Sequence, residues 1–341
     1  MCLSVLCKGV VNKNISRSCL FVSLIYLLVG GQIAFAASGY QFRQVSAINA
    51  LSQSSVLSIV QDSTGFLWIG TKDGLNRFDG YEFVAFKYDP FDDNSLSSNE
   101  ISALCLQSDN YLWIGTRSGG INRMELSSGT FTRFSQLSYD DLIRDIYSDE
   151  NGVVWATSSE GLLRFNSDES SKGGYFENLS TRAVYRRHTN EPFIPSRINT
   201  ALTAIYPLGD GKLLVGADGG LFEYDIALNE FRSLSTEMHQ LSVITQIIDD
   251  SKGNIWVASY DGLVRLTRLF GGDGYDYLTF NMQSPPQRRL PVDWVEALVE
   301  DHRGNIWVAT RGAGLVLVAN NTVRHISGQF LPENSVLRDN I

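Results

Sequence analysis

The chain has 341 residues, of which 43% are hydrophobic, 11% aromatic and 19% charged, a composition that supports a packed core and excludes a disordered chain. Its formal net charge of −9 excludes nucleic acid and anionic lipid as main partners. The length suits one large all-β domain or two ordinary domains.

The first 37 residues read apart from the rest. Lys8, Lys13 and Arg17 give a positive start without any acidic residue, Leu20 to Val29 is an apolar run, and Ala34-Phe35-Ala36 offers small residues at cleavage spacing. This is the pattern of a secretory signal peptide, with an uncleaved N-terminal anchor as the alternative, and either one predicts an exported, periplasmic chain. Without those three cations, 25 basic residues stand against 37 acidic ones, a net charge of about −12. Cys2, Cys7 and Cys19 lie in the leader, so Cys105 alone remains in the mature chain and no internal disulfide is expected. Its place in the apolar run Ile101 to Leu106 predicts a buried, inert thiol.

From residue 40 onward the chain repeats itself. The stretch Gln61-Asp-Ser-Thr-Gly-Phe-Leu-Trp-Ile-Gly-Thr-Lys-Asp-Gly-Leu-Asn-Arg-Phe-Asp-Gly80 recurs as Ser108-Asp-Asn-Tyr-Leu-Trp-Ile-Gly-Thr-Arg-Ser-Gly-Gly-Ile-Asn-Arg123. Six copies centre on Trp68, Trp113, Trp155, Leu214, Trp256 and Trp307, at spacings of 45, 42, 59, 42 and 51 residues. A period in the forties built of strands is the signature of a β-propeller whose repeats are four-stranded blades. Three positions before each centre stand Gly65, Asn110, Gly152, Gly211, Gly253 and Gly304, residues that tolerate the positive φ of a tight hairpin. Six before it, Asp62, Asp149, Asp250 and Asp301 supply carboxylates for the turn backbone.

The pairs Ser58-Ile59, Ala103-Leu104, Ala204-Ile205 and Ala297-Leu298 mark the first strand of a blade. Leu67-Trp-Ile-Gly70 and Ile306-Trp-Val-Ala309 mark the second, and Gly74-Leu-Asn-Arg-Phe78 and Gly161-Leu-Leu-Arg-Phe165 the third. Tyr81-Glu-Phe-Val-Ala-Phe86 and Gly129-Thr-Phe-Thr-Arg-Phe134 mark the fourth. A blade is apolar on both faces and buries them only between neighbours, so the central indoles are read as packing residues; Leu214 fits that role and not recognition. Tyr40-Gln-Phe-Arg-Gln-Val45 resembles a fourth strand and is expected to pair with the last blade, latching the ring. Asn334-Ser-Val-Leu-Arg-Asp-Asn-Ile341 parallels Asn94-Ser-Leu-Ser-Ser-Asn-Glu-Ile101 and opens a seventh blade. The expectation is therefore an all-β propeller over 40–341, with six blades and the start of a seventh, cut from a longer protein.

The run Val60 to Gly80, with its Asp-x-x-Gly-x-x-Trp-Ile-Gly-Thr-x-x-Gly-Leu pattern, resembles the repeat of the two-component regulator propellers. Those are periplasmic sensor regions of hybrid histidine kinases and of some diguanylate cyclases. The resemblance covers about 40–341 and implies a ligand-sensing, non-catalytic module of a signal-transduction protein. In that family an immunoglobulin-like module, a transmembrane helix and a cytoplasmic output domain follow. Contact with a membrane would come through such a helix or the N-terminal segment, and a homodimer of the full-length protein is compatible with it. No cofactor or metal is expected.

Ligands of propellers meet the face made by the turns between second and third strands. Here those turns carry Lys72, Asp73, Arg117, Glu160, Asp218, Tyr260, Asp261 and Arg311, a mixed polar ring suited to hydroxyl-rich or zwitterionic solutes, oligosaccharides included. Two enlarged connections add arginines: 182–199 with Arg186, Arg187 and Arg197, and 281–292 with Arg288 and Arg289. On one rim they would hold a carboxylate or sulfate, because guanidinium forks match such groups. Gly271-Gly-Asp-Gly-Tyr275 lacks the Glu and Phe of the cyclase signature and reads as a turn. His188, His239, His302 and His325 share no metal-ligand spacing. The alternatives are an enzyme on the same scaffold, a lyase or quinone-dependent dehydrogenase, or an interaction scaffold. A lyase needs a histidine and carboxylate gathered at the channel mouth, and the quinone enzyme needs adjacent cysteines.

Overall fold

A computed structural model describes residues 51–134, 142–149, 151–167, 174–179, 184–186, 192–193, 201–234, 241–269 and 274–326. The leader, the segment 40–45, the segment 334–341, and Arg187, Arg197, His188 and His239 lie outside them. The described residues form strands and turns, without a helix.

Six antiparallel sheets follow one another: blade 1 (56–86), blade 2 (101–134), blade 3 (143–178), blade 4 (202–233), blade 5 (244–280) and blade 6 (295–326). Within each blade the four strands lie in sequence order. The first strands of successive blades pack side by side and form the inner ring. This is a six-bladed β-propeller, as the repeat predicts. The fourth strands are shorter than the sequence pattern suggests, Phe83–Phe86 and Phe131–Phe134, because the residues before them close turns. Asp79, for example, accepts the N–H groups of Tyr81 and Glu82 at 2.8 Å each.

Blade-to-blade burial follows the repeat. Trp68 packs with Ile101, Leu104, Leu112 and Ile114 of blade 2, and Trp113 with Ile143, Ile146 and Val154 of blade 3. Trp155, Leu214 and Trp256 make the same contact with blades 4, 5 and 6. Trp113 is the most enclosed, its ring centroid 4.8 Å from that of Phe165 and 5.7 Å from that of Phe176. Two residues past the centre, Gly70, Gly115 and Gly216 let the next blade approach: a Cβ there would lie 2.6 Å from a side-chain atom of Ile101, Ile143 or Ile244. Trp307 departs from the pattern, being half-buried and outside these clusters.

The same aspartate serves the turn and the indole. Asp62 Oδ1 accepts the N–H groups of Thr64 and Phe66, while its Oδ2 accepts Trp68 Nε1–H at 2.8 Å. Asp149, Asp250 and Asp301 accept from Trp155, Trp256 and Trp307 at 3.1, 2.9 and 3.1 Å. Although partial burial opposes ionisation, these hydrogen bonds hold the carboxyls of Asp62, Asp250 and Asp301 below the usual range. Blade 2 differs. Its turn is shorter, the positive φ falls on Ser108 and not on Asn110, and Gln107 Oε1 takes the Trp113 N–H at 2.8 Å.

Polar side chains stitch the inner ring. Thr245 Oγ1 donates to Val295 O at 2.8 Å, and Gln246 Oε1 accepts Leu298 N–H at 2.6 Å, both joining blade 5 to blade 6. Asp145 of blade 3 accepts Ile205 N–H of blade 4 at 3.0 Å. Burial pushes its carboxyl up to about 7, and its charge adds to the desolvation that pushes the Cys105 thiol up to about 12, which keeps the thiol protonated although Cys105 is half-buried and not fully buried as the sequence suggested.

Two predictions follow from this packing. Trp113→Ala will destabilise the fold by about 3–5 kcal/mol in urea unfolding, whereas Trp307→Ala, already half-solvated, will cost about 1–2 kcal/mol. Asp145 has a folded pKa raised from 3.8 to about 7, so the native state binds the proton more tightly. Stability must fall as pH rises between about 4 and 7 and flatten above. Asp145→Asn, which keeps an oxygen for Ile205, will remove that slope and be the more stable protein at pH 8; thermal melts across pH check it. The lowered aspartates act in a separate window, their contribution disappearing as pH drops below about 4.

Candidate functional site

The turns between second and third strands close one face of the ring, and a shared hydrogen bond fixes them. The N–H groups of Arg117, Ser159, Asp218, Tyr260 and Arg311 donate to the carbonyls of Glu100, Leu142, Ala201, Val243 and Trp294, at 2.9 to 3.3 Å. Each turn is thereby held against the residue that leads into its own blade's first strand. Lys72 holds the equivalent place of blade 1.

Most of the ring expected from the sequence is engaged locally. Asp73 pairs with Lys87 at 2.6 Å and Arg117 with Glu100 at 3.5 Å. Asp261 accepts the Ser242 N–H at 2.6 Å, and Glu160 accepts Asn178 Nδ2–H through its carbonyl at 3.1 Å. Lys72 and Asp218 are exposed. Tyr260 and Arg311 differ, because both meet Trp294, a half-buried residue just ahead of the first strand of blade 6.

Trp294 contacts both. Its ring centroid is 4.1 Å from that of Tyr260 of blade 5, and the Arg311 guanidinium stands 4.2 Å from its centroid. Glu296 lies 3.9 Å from Arg311. The indole Nε1–H is enclosed and has no hydrogen-bond partner in the protein. An enclosed donor left without an acceptor costs about 1–3 kcal/mol, so this spot favours an incoming oxygen. Trp294 is the tryptophan out of register with the repeat, and that was the available signal.

The arginine-bearing connections sit elsewhere. The strand Val184–Arg186 adds in parallel to the outer strand Glu230–Ser233 of blade 4, with Arg186 opposite Arg232, and Pro192–Phe193 extends the same sheet. In 281–292, Gln287 O accepts Val323 N–H from the outer strand of blade 6 at 2.8 Å, and Arg289 Nε donates to Ser284 O at 3.1 Å. Arg186 and the Arg288–Arg289 pair therefore attach to the outer edges of different blades.

A second hollow of about 570 Å³ opens among blades 3 to 5, lined by Asp145, Tyr147, Tyr206, Lys212, Gln246 and Asp249. The described histidines are not in it: His302 sits in the turn of blade 6, and His325 Nε2 bonds Ala313 O at 2.8 Å. Among the described residues no group of three or more His, Cys, Asp or Glu could hold a metal ion.

Comparison with known proteins agrees with this architecture. The model of the family described as two component regulator propeller matches residues 50–73, 95–118 and 289–312. Histidine kinase P4 of Formosa agariphila is 48% identical over 58 residues, 17% of this chain and 4% of that protein. The extracellular domain of a putative hybrid two component system from B. thetaiotaomicron superposes with a TM-score of 0.63 at 21% identity, covering 82% of this chain and 35% of its own. A virginiamycin B lyase from Staphylococcus aureus superposes with a TM-score of 0.54 at 13% identity, covering 79% of this chain and 83% of its own. At such identities both structural likenesses concern the fold. The chain is thus a six-bladed propeller in which three stretches match the repeat of the two component regulator propeller family.

Proposed function

We propose that the chain is the extracytoplasmic sensor module of a signal-transduction protein, binding a hydroxyl-rich, anionic ligand at the Tyr260, Trp294 and Arg311 sector without transforming it. The observation that carries this reading is the unpartnered Nε1–H of Trp294, in a ring that contacts both an aromatic ring and a guanidinium. A sugar ring has the matching parts. Its C–H face packs on indole and phenol, a hydroxyl or ring oxygen accepts the indole N–H, and a carboxylate or sulfate meets Arg311. Glu296 beside Arg311 favours a ligand that also brings donors, as hydroxyl groups do.

Sensing needs the ligand to prefer one of two arrangements of the protein. The Tyr260–Trp294 contact joins blade 5 to blade 6, so a ligand bridging it bears on how those blades meet. The repeats shared with the regulator propellers support the signalling context, and the sequence of the leader supports export.

Isothermal titration of the chain with uronate-containing and sulfated oligosaccharides tests this. Trp294→Ala and Arg311→Ala will each weaken binding at least tenfold, about 1.4 kcal/mol. The Arg186/Arg187/Arg288/Arg289 alanine variant will bind as the native chain does, and the sugar will be recovered unchanged by chromatography. Equal binding by Trp294→Ala, or release of a product, overturns the reading.

A further inference from the structure

The third strands of four blades place an arginine opposite the central tryptophan, pairing Trp68 with Arg77, Trp113 with Arg123, Trp155 with Arg164 and Trp256 with Arg265. In the first three the guanidinium lies over the indole of its own blade, 5.9, 5.5 and 5.5 Å from the ring centroid. Arg265 reaches instead into blade 6, where its Nη1 donates to Oδ1 of Asn321. That is the single bond made by its guanidinium among the described residues, and its Nε is enclosed without a partner. No carboxylate of the described residues pairs with it, whereas Lys87, Arg117, Arg268 and Arg311 each have one.

With Lys252, Gly304, Asn320 and Asn321, Arg265 lines a recess of about 130 Å³ at the seam of blades 5 and 6. Lys252 and Gly304 belong to turns between first and second strands, and the two asparagines to a turn between third and fourth. In an antiparallel blade those turns share one end, the end away from Trp294. Ser251 fixes the two blades there, its N–H and Oγ–H donating to the two oxygens of Glu300 at 2.8 and 2.7 Å. The acceptors of Asp250, Asn254 and Asn321 are already engaged. Asp250 takes the N–H groups of Lys252 and Asn254 and the indole N–H of Trp256, Asn254 Oδ1 takes Thr267 Oγ1–H at 2.9 Å, and Asn321 Oδ1 takes Arg265. What is left is donors: the remaining guanidinium N–H groups of Arg265, Asn321 Nδ2, and the exposed Lys252 ammonium, which pairs with no carboxylate of the described residues.

We propose that this recess binds a tetrahedral oxyanion, sulfate or phosphate, against Lys252 and Arg265. Its volume is that of about four waters at roughly 30 Å³ each, which suits one such group and excludes an oligosaccharide. A guanidinium fork matches the paired oxygens of an oxyanion, and an ammonium adds a second charge. The Asp250 carboxylate also lines the recess, but its oxygens face the N–H groups that hold them, and the two cations outnumber its charge. The site is independent of the ligand assigned above and lies at the other end of the same seam.

Equilibrium dialysis of the full chain against radiolabelled sulfate and, in a separate arm, radiolabelled phosphate tests it, with sodium chloride holding the ionic strength constant. One saturable site per chain is expected for at least one of the two ions, and the tighter ion names the group. Lys252→Gln and Arg265→Gln will each weaken it by about tenfold or more. Arg303→Gln, which removes the same charge from an exposed position outside the recess, will leave it unchanged. Should Arg265→Gln fail to fold, Lys252→Gln decides, because that ammonium is exposed. Equal binding by Lys252→Gln, or no binding of either ion by the native chain, overturns the proposal. So does uptake that never saturates or that falls as much in Arg303→Gln, the mark of an adventitious ion only. Trp294→Ala will keep the site, and loss of the ion in that variant would assign it to the Trp294 sector and overturn the proposal as well.

Discussion

An indole wedged between one sheet and the next is the contact on which this structure rests. A four-stranded blade with two apolar faces has no stable form alone, and burial comes from stacking. The indole supplies the area but brings an N–H that must be satisfied. The carboxylate six residues earlier satisfies it while closing the preceding turn, so one aspartate fixes both the hairpin and the rotamer of the packing residue. The exceptions obey the same physics. Where the turn of blade 2 is short, the longer Gln107 reaches the indole. Where blade 4 has Leu214, no N–H needs an acceptor, and Leu208 replaces the carboxylate.

This coupling explains what could be read from the sequence. Trp68, Trp113, Trp155, Leu214, Trp256 and Trp307 gave the blade number because each marks the same strand position, and the glycines three residues before them gave most of the turns. Asn110 misled because tolerance of positive φ belongs to Ser108 as well once the pairing of Gln107 with Tyr111 shortens the loop. The reduced burial of Trp307 was not legible, since burial depends on a neighbour and not on the repeat that contains the residue.

The site was harder to read for a related reason. Eight positions of the expected ring, from Lys72 to Arg311, were found from their turns, and turn chemistry is local. Their partners are near in space but lie outside the turns, 14 to 17 residues away in sequence for the two ion pairs. Asp73 meets Lys87 and Arg117 meets Glu100, whereas the sector of blades 5 and 6 holds an indole whose N–H has no partner among the described residues. Trp294 was hidden in a connection whose length gave no pattern. The arginine loops were assigned to a rim because loops of that size carry function in many folds. Here one contributes the strand Val184–Arg186 to the open edge of blade 4, and the other reaches the outer strand of blade 6, which blunts two sheet edges that would otherwise invite pairing.

The hairpin of blade 6 draws these threads together. Its second strand, Ile306–Thr310, carries Trp307 and Ala309 to the central cavity that Val56 and Ile59 of blade 1 also line, the turn that follows carries Arg311 against Trp294, and its third strand, Gly314–Ala319, returns Leu315 to that cavity. Three residues separate Trp307 from Arg311, and both strands are bound to each other along their length. A shift of this hairpin that opened or closed the contact at Trp294 would therefore move the cavity wall with it. A sheet that is packed on one side by blade 5 and uncovered on the other is the part of this ring best placed to have two arrangements.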